Sequence, residues 1–175
     1  GSAMKHAWAV SMLVMVGVVS GVPRDAWAQP VEWTGDAGSS DWNTDGNWSG
    51  DSVPAPSDET YIGASGVAAT VDLDGTGTAA DLSVGYDAAG TLNVGSGGAL
   101  SVDNLYLSPL GSAAGLTLSG NADVYAETGV YVDGPATIEM TGGLLHAALS
   151  LAIPDGEGAA ALASQASVAP GEMVF

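Results

Sequence analysis

The residue types best suited to chemistry lie in one short acidic stretch. Asp41-x-Asn43-x-Asp45, followed by Gly, matches the first half of a Ca²⁺-binding loop, in which alternating oxygen-bearing side chains face one cation. Asp51 lies close enough in sequence to complete an irregular site. The second half of the motif is missing, because Ser52 stands where such a loop has a bidentate Glu. The stretch therefore predicts either a Ca²⁺ site with these four ligands or a run of Asp- and Asn-rich turns.

Three tryptophans surround the same stretch, and Trp33, Trp42 and Trp48 fall within 16 residues of one another. An indole offers a flat apolar body with a polar edge, so exposed Trp faces would stack on sugar rings. Buried together, the three rings would instead cover the open end of a stacked β fold. The cluster predicts either a structural cap or a glycan contact.

Two tyrosines, Tyr106 and Tyr131, occupy equivalent positions in neighbouring repeats of the chain. Side chains at such positions meet across adjacent strands, which predicts an aromatic pair. Exposed rings at the same positions would instead offer a second platform for a glycan.

No arrangement of residues points to catalysis. The chain has no cysteine, and His146 is the only histidine after residue 28 and has no neighbouring Ser or Cys to activate, which favours a turn or packing role. A glycosidase needs two carboxylates at a defined separation, and no spacing singles out a pair among the many acids. The sequence predicts a protein that is not an enzyme, with a polysaccharide-acting enzyme as the weakest alternative.

The charge balance is extreme. Both basic residues, Lys5 and Arg24, and one of the 20 acids, Asp25, precede residue 29, so residues 29–175 contain 19 acids and no Lys or Arg. Such a surface repels nucleic acids and anionic membranes. The carboxylates must be solvated, screened by salt or bridged by a cation such as Ca²⁺.

The elements that would position these residues are short strands that recur about every 23 residues. Three rows are seen: 82–84, 105–107 and 130–132; 92–94, 116–118 and 138–140; and 100–102 with 122–124. Strands this short cannot bury a face alone, but stacking each on its counterpart buries a continuous apolar column. The pattern predicts an all-β, right-handed parallel β-helix, or β-solenoid, with three short strands per coil. An antiparallel sandwich is the alternative.

Side-chain alternation along these strands predicts three outward-facing columns. The predicted columns are Ser83, Tyr106, Tyr131 and Ser150; Asp72, Asn93, Thr117 and Glu139; and Ser101 with Asp123. They contain no regular Thr array, which argues against ice binding. They contain no repeated Asp ladder of the kind that binds Ca²⁺ in nonapeptide β-rolls.

The segments before and after the repeats suggest an exported protein. Residues 1–3 resemble a cloning scar, and residues 4–28 read as a signal peptide with an apolar run and the A-x-A cleavage signature Ala26-Trp27-Ala28. An uncleaved membrane anchor is the alternative for that segment, whose run is short for a span. The remaining predicted units are a Trp-rich cap at 29–59, solenoid coils at 60–153 and an Ala-rich coil or cap at 154–175.

The N-terminal motif resembles that of a known group of proteins. Trp33-x-Gly35, Trp42, Asn47-Trp48 and the following Gly, Pro and Asp, together with Gly-rich repeats at 90–95 and 115–120, are similar to secreted bacterial β-helix proteins of the autotransporter-associated β-strand and PEP-CTERM-associated types. The resemblance covers roughly residues 31–143 and implies a right-handed β-helix on an exported surface or matrix protein without known catalysis.

Together these features predict a non-catalytic, secreted structural or adhesive solenoid of a bacterial surface or extracellular matrix. Expected partners are further copies of the chain, stacked end to end into filaments or side by side, and a possible partner is a glycan. Ca²⁺ is the only cofactor that these residues suggest. Membrane contact is expected only through an uncleaved signal segment. A carbohydrate-binding module that uses exposed Trp or Tyr is the alternative function.

Overall fold

The computed structural model describes residues 29–147 and 173–174, and the regular secondary structure there is almost entirely β-strand. The strands are β1 (Val31–Glu32), β2 (Glu59–Ile62), β3 (Ala69–Leu73), β4 (Thr76–Val84), β5 (Gly90–Val94), β6 (Ala99–Leu107), β7 (Ala114–Leu118), β8 (Asp123–Val132), β9 (Ala136–Met140), β10 (Leu144–Ala147) and β11 (Met173–Val174). One 3₁₀ turn, Asp45–Asn47, is the only helical segment described. The predicted scar, signal peptide, Ser150 column position and most of the 154–175 unit lie outside the described residues.

Every pair of named strands runs parallel, and each strand pairs with its counterpart one coil away. The larger sheet has the order β1-β2-β4-β6-β8-β10-β11, and the smaller has the order β3-β5-β7-β9. Partners such as Leu92 and Leu116 are about 23 residues apart, and the stack makes about four turns. The predicted β-solenoid is confirmed, and the antiparallel sandwich is excluded.

The strands of the larger sheet are longer than the sequence suggested. The third row of one coil and the first row of the next run together as one strand of nine or ten residues in β4, β6 and β8. A register shift between Val102 and Asn104 marks an irregularity within β6. Each coil therefore contributes one long strand to the larger sheet and one short strand to the smaller sheet. The core lies between the two sheets.

The register of the third row differs from the prediction. Leu100 pairs with Val124, two residues beyond the predicted partner Ala122, and Ser101 pairs with Tyr125 in place of Asp123. The reason is a turn in which the amide of Ala122 donates to the carbonyl of Ser119, so β8 begins only after that turn. The third outward column consequently reads Thr78, Ser101, Tyr125 and His146. The other two outward columns have the predicted register.

The core is a set of apolar columns that run along the solenoid. Leu82 and Leu105 form one column, Leu92 and Leu116 form another, and all four side chains are fully buried. Alternation places their neighbours outside, so each strand contributes to core and surface in turn. The folded state is thus stabilised mainly by burial of aliphatic side chains between the two sheets.

Truncating a core column should destabilise the whole stack. Leu105→Ala removes a fully buried side chain from the middle of the stack, and we expect a loss of about 2–5 kcal/mol in the free energy of unfolding. Leu110→Ala is the matched control, because Leu110 is 62% exposed and its truncation should change stability by less than about 0.5 kcal/mol. Urea unfolding measures both. Equal effects of the two substitutions would contradict this packing.

Candidate functional site

The Trp-rich segment adds a partial extra layer to the N-terminal edge of both sheets. Strand β1 pairs in parallel with β2 at the edge of the larger sheet. At the edge of the smaller sheet, the amide of Trp42 donates to the carbonyl of Asp72 at 2.9 Å, and the amide of Asp72 donates to the carbonyl of Ser40 at 2.7 Å. Backbone groups that an open solenoid would leave unpaired are thereby satisfied.

The three tryptophans form a buried cluster over the end of the core. Trp33 is 7% exposed, and Trp42 and Trp48 are each 1% exposed. Trp48 meets both other rings edge to face, at centroid distances of 4.9 and 4.8 Å, and its Nε1 donates to the carbonyl of Trp42 at 2.7 Å. These rings leave no open face for stacking on a sugar. The glycan contact predicted for them is therefore not supported, since the rings belong to the core.

A glycine makes room for the central indole. Gly77 starts the inward column that continues through Leu100 and Val124, and it has no side chain to contribute to the core. A Cβ at Gly77 would lie 3.0 Å from both the Trp42 ring and the Leu73 side chain. Sequence reasoning missed this role, because the glycine lies far from Trp42 along the chain and its part in the cap depends on tertiary contact.

Asn47 holds the loops of the cap together. It is fully buried, and its side-chain amide donates to Ser39 Oγ at 2.9 Å and to the carbonyl of Asp41 at 3.1 Å. Its backbone carbonyl accepts from the amides of Thr34 and Gly35. Both residues of the Asn47-Trp48 dipeptide in the sequence motif thus have structural roles.

The predicted Ca²⁺ ligands are used in the turns of the cap. Asp41 accepts from the Asn43 amide at 2.9 Å and from the hydroxyl of Thr44, while the Asn43 side chain donates to the carbonyl of Thr76. Asp45 accepts from the amide of Val53 at 3.3 Å. Asp51 has a left-handed backbone, with φ of 53°.

The three acids among the predicted ligands, Asp41, Asp45 and Asp51, do not form a group that could hold a metal ion. Within residues 29–147, no group of three or more His, Asp or Glu side chains is arranged to hold a metal ion. A Ca²⁺ site made by Asp41, Asn43, Asp45 and Asp51 is therefore not supported. The motif describes the local turns of the cap, in which side-chain oxygens bind backbone amides.

The predicted tyrosine pair is part of a longer outward surface. We call this surface the Tyr face, and define it by Tyr61, Tyr86, Tyr106 and Tyr131. Tyr106 stacks on Tyr131 with centroids 5.0 Å apart, and Tyr61 stacks on Tyr86 at 4.0 Å. Ser83 lies between Tyr61 and Tyr106 in the column and is only 6% exposed. Neighbouring side chains therefore cover it. Tyr61 is also largely covered, at 8% exposed, so the face consists of two stacked pairs in successive coils.

Carboxylates border the Tyr face. Glu59 accepts a hydrogen bond from the Tyr61 hydroxyl, and Asp81 accepts from the side-chain amide of Asn104 at 2.7 Å. Burial, and after it the negative charges of Asp81, Asp133 and Glu59, raise the pKa of Tyr106. Burial and the hydrogen bond to Glu59 raise the pKa of Tyr61. The phenols of Tyr61 and Tyr106 therefore stay neutral to a higher pH than a free tyrosine does.

The third outward column has a single ionic contact. His146 Nε2 lies 3.4 Å from Asp123 Oδ1, and both side chains are partly exposed. The Tyr125 ring lies beside His146, with a centroid distance of 6.2 Å. A His–Asp pair becomes a general base only beside a group to deprotonate. None of the described contacts of His146 provides one.

Comparison with known proteins leaves the chain without an assigned family. A scan against protein-family models, a search of curated proteins and a search of solved structures each found no match. Among the described residues, no helix is long and apolar enough to span a membrane.

The fit of Trp42 against Gly77 can be tested with a single methyl group. Gly77→Ala places a Cβ against two core side chains, and we expect it to cost about 1–3 kcal/mol of stability by overpacking. Gly46→Ala is the control within the cap, because its Cβ would meet its nearest neighbour at an ordinary 3.5 Å. Thermal unfolding, followed by tryptophan fluorescence, compares the two. A neutral Gly77→Ala would show that the indole does not occupy this position.

The raised tyrosine pKa values predict loss of stability in alkali. An unfolded tyrosine has a pKa of about 10, and Tyr61 and Tyr106 have higher values in the folded state. The unfolded chain therefore releases its protons first, and stability is full below pH 10 and falls as the pH rises above it. Residues 29–175 contain no Lys or Cys to titrate in the same range.

Urea midpoints at successive pH values above neutrality measure this dependence. The double variant Tyr61→Phe, Tyr106→Phe should lose less stability between neutral and alkaline pH than the parent protein. Tyr125→Phe is the control, because Tyr125 is 51% exposed. If the double variant lost as much stability in alkali as the parent protein, Tyr61 and Tyr106 would not be the source of the pH dependence.

Proposed function

We propose that the protein is a non-catalytic structural or adhesive element of a bacterial surface or extracellular matrix, to which it is exported. The observation that supports this most is the coil stack itself. The inward side chains form one continuous core, and many outward ones pair along the solenoid, such as Asp72 with Asn93 and Asp81 with Asn104. A stacked β fold of this kind acts through its shape and its outer faces.

Three sequence features support export to a surface or matrix. The apolar segment followed by Ala26-Trp27-Ala28 has the form of a cleavable signal. The absence of cysteine after it is compatible with an oxidising compartment, because the stacked core supplies stability without disulfides. The N-terminal motif resembles that of secreted β-helix surface proteins, and in this chain its tryptophans form the cap.

The cap changes how we expect copies of the chain to associate. Filaments that grow by end-to-end stacking need two open ends that complement each other. Here the N-terminal edges of both sheets are already partly paired with the cap. Among the described residues, β9 ends the smaller sheet and has a strand partner on one side only. We therefore propose that association, where it occurs, joins the ends opposite the cap and gives closed pairs in place of filaments.

Carbohydrate binding and polysaccharide cleavage have less support as functions. The Trp faces are buried, and the faces of Tyr106 and Tyr131 lie against each other, which leaves mainly ring edges and hydroxyls outside. The described contacts of His146 join it to an acid and not to a nucleophile.

Light scattering and negative-stain electron microscopy on residues 29–175 test the proposal. We expect compact particles whose mass rises from one chain toward two as protein concentration and salt increase, because salt screens the repulsion between acidic chains. Millimolar Ca²⁺ should act no differently from Mg²⁺ at equal ionic strength. Long filaments of uniform width would contradict the role given to the cap. A strict monomer in all conditions would contradict self-association.

A further inference from the structure

We propose that the Tyr face is a docking surface for an extended, Lys- or Arg-rich segment of another polypeptide. The inference goes beyond a structural role, because it assigns a partner to one side of the solenoid. It depends on the aromatic stacking, on the carboxylates at the borders of the face and on the charge of the chain.

The geometry of the rings favours contact along their edges. Tyr106 and Tyr131 are nearly parallel, at 19°, and Tyr61 and Tyr86 are within 8° of parallel. Each ring therefore has one face against its neighbour. Tyr86, Tyr106 and Tyr131 remain partly exposed and form a strip of apolar ring surface and phenolic oxygens, whereas Tyr61 is only 8% exposed. Long aliphatic stems of Lys or Arg pack well on such a strip while their charged ends reach beyond it.

The charged groups at the borders of the strip are all acceptors for such cationic ends. Glu59 and Asp81 lie in the column next to the tyrosines, two residues before Tyr61 and Ser83. Asp133 lies on the opposite border, two residues after Tyr131, and is exposed. The register places Asp81 opposite Asn104, two residues before Tyr106, and places Asp133 just beyond Tyr131, the strand partner of Tyr106. A cation above this hydroxyl would have carboxylates on both sides.

The chain itself offers these acids neutral hydrogen-bond donors only, from Tyr61 to Glu59 and from Asn104 to Asp81, and no cation competes for them. Residues 29–175 contain no Lys or Arg, and His146 lies on a different face of the solenoid. A net charge of this sign and size accelerates the approach of a basic partner and repels acidic ones.

The other outward columns lack this combination. The column with Asp72, Asn93, Thr117 and Glu139 has no aromatic residue, and the column with Tyr125 contains a single tyrosine and the histidine. Specific docking needs an apolar anchor inside a polar border, since exposed ion pairs alone contribute little. Tyr125 is also exposed and has Asp123 and Glu127 on either side, but it has no stacked tyrosine and shares its column with the histidine. Of the described columns, only the Tyr face combines stacked tyrosines with bordering acids.

The test uses fluorescein-labelled octalysine as the probe and fluorescence anisotropy on residues 29–175 at near-physiological salt. Tyr106→Ala, Tyr131→Ala should weaken binding by about tenfold or more, while Tyr125→Ala, on another face, should change it less than twofold. Asp133→Asn should weaken binding more than Asp36→Asn, which removes the same charge from the exposed cap. The two Asn variants alter exposed side chains, so they keep the test valid where the double Ala variant fails to fold.

Each remaining outcome overturns the proposal. Equal losses with Asp133→Asn and Asp36→Asn would mean that octalysine senses only overall charge. Equal losses with Tyr125→Ala and the double variant would mean that the Tyr face is not the preferred aromatic contact. If an uncharged glycan oligomer binds in a way that requires Tyr106 and Tyr131, and octalysine binding does not require them, the Tyr face binds carbohydrate instead. If octalysine does not bind above background, the Tyr face has no Lys- or Arg-rich partner of the proposed kind.

Discussion

The parallel stacking of each strand on its counterpart one coil away is the constraint on which the rest of this structure depends. Backbone hydrogen bonds fix neighbouring strands about 4.8 Å apart, so each side chain lies directly beside its counterpart one coil away, on the same face of the sheet. Leu82 over Leu105 in the core and Asp72 beside Asn93 on the surface both follow from this rule. The stack therefore needs neither disulfides nor Lys and Arg ion pairs, and neither is found in residues 29–147.

The same constraint creates the main weakness of the fold, which is its ends. A stack of parallel strands leaves unpaired backbone groups and an uncovered apolar core wherever it stops. The N-terminal segment meets both needs, because Trp42 and Trp48 cover the core while backbone bonds at Asp72 and Tyr61 extend the sheets. Residues that looked suited to chemistry in the sequence thus have structural roles. The surface left for partners lies along the sides of the solenoid, where the Tyr face is the most distinctive region.

Much of this fold is predictable from the sequence because the apolar residues recur with the period of the coil. The rows that contain Leu82 and Leu92 have the predicted register, whereas the third row is shifted. The shift was not predictable because the apolar alternation at 122–124 fits two registers, and only the turn after Ser119 decides between them. Tyr86 was missed because it lies in a turn outside the repeat, and the role of Gly77 was missed because it depends on Trp42. The Ca²⁺ motif misled for a related reason. Local spacing shows which side chains lie near one another, but their hydrogen-bond partners arise from the packed turns.

Native-state hydrogen exchange followed by NMR tests the central claim most directly, namely that the Trp-rich segment is an integral layer of the stack. The amides of Trp42 and Asp72 join that segment to the smaller sheet, and the amide of Leu105 reports on the middle of the larger one. The account predicts that the first two exchange slowly, with opening free energies within a few kcal/mol of that of Leu105. Exchange of Trp42 and Asp72 at the rate of an unstructured peptide, with Leu105 still protected, would contradict it.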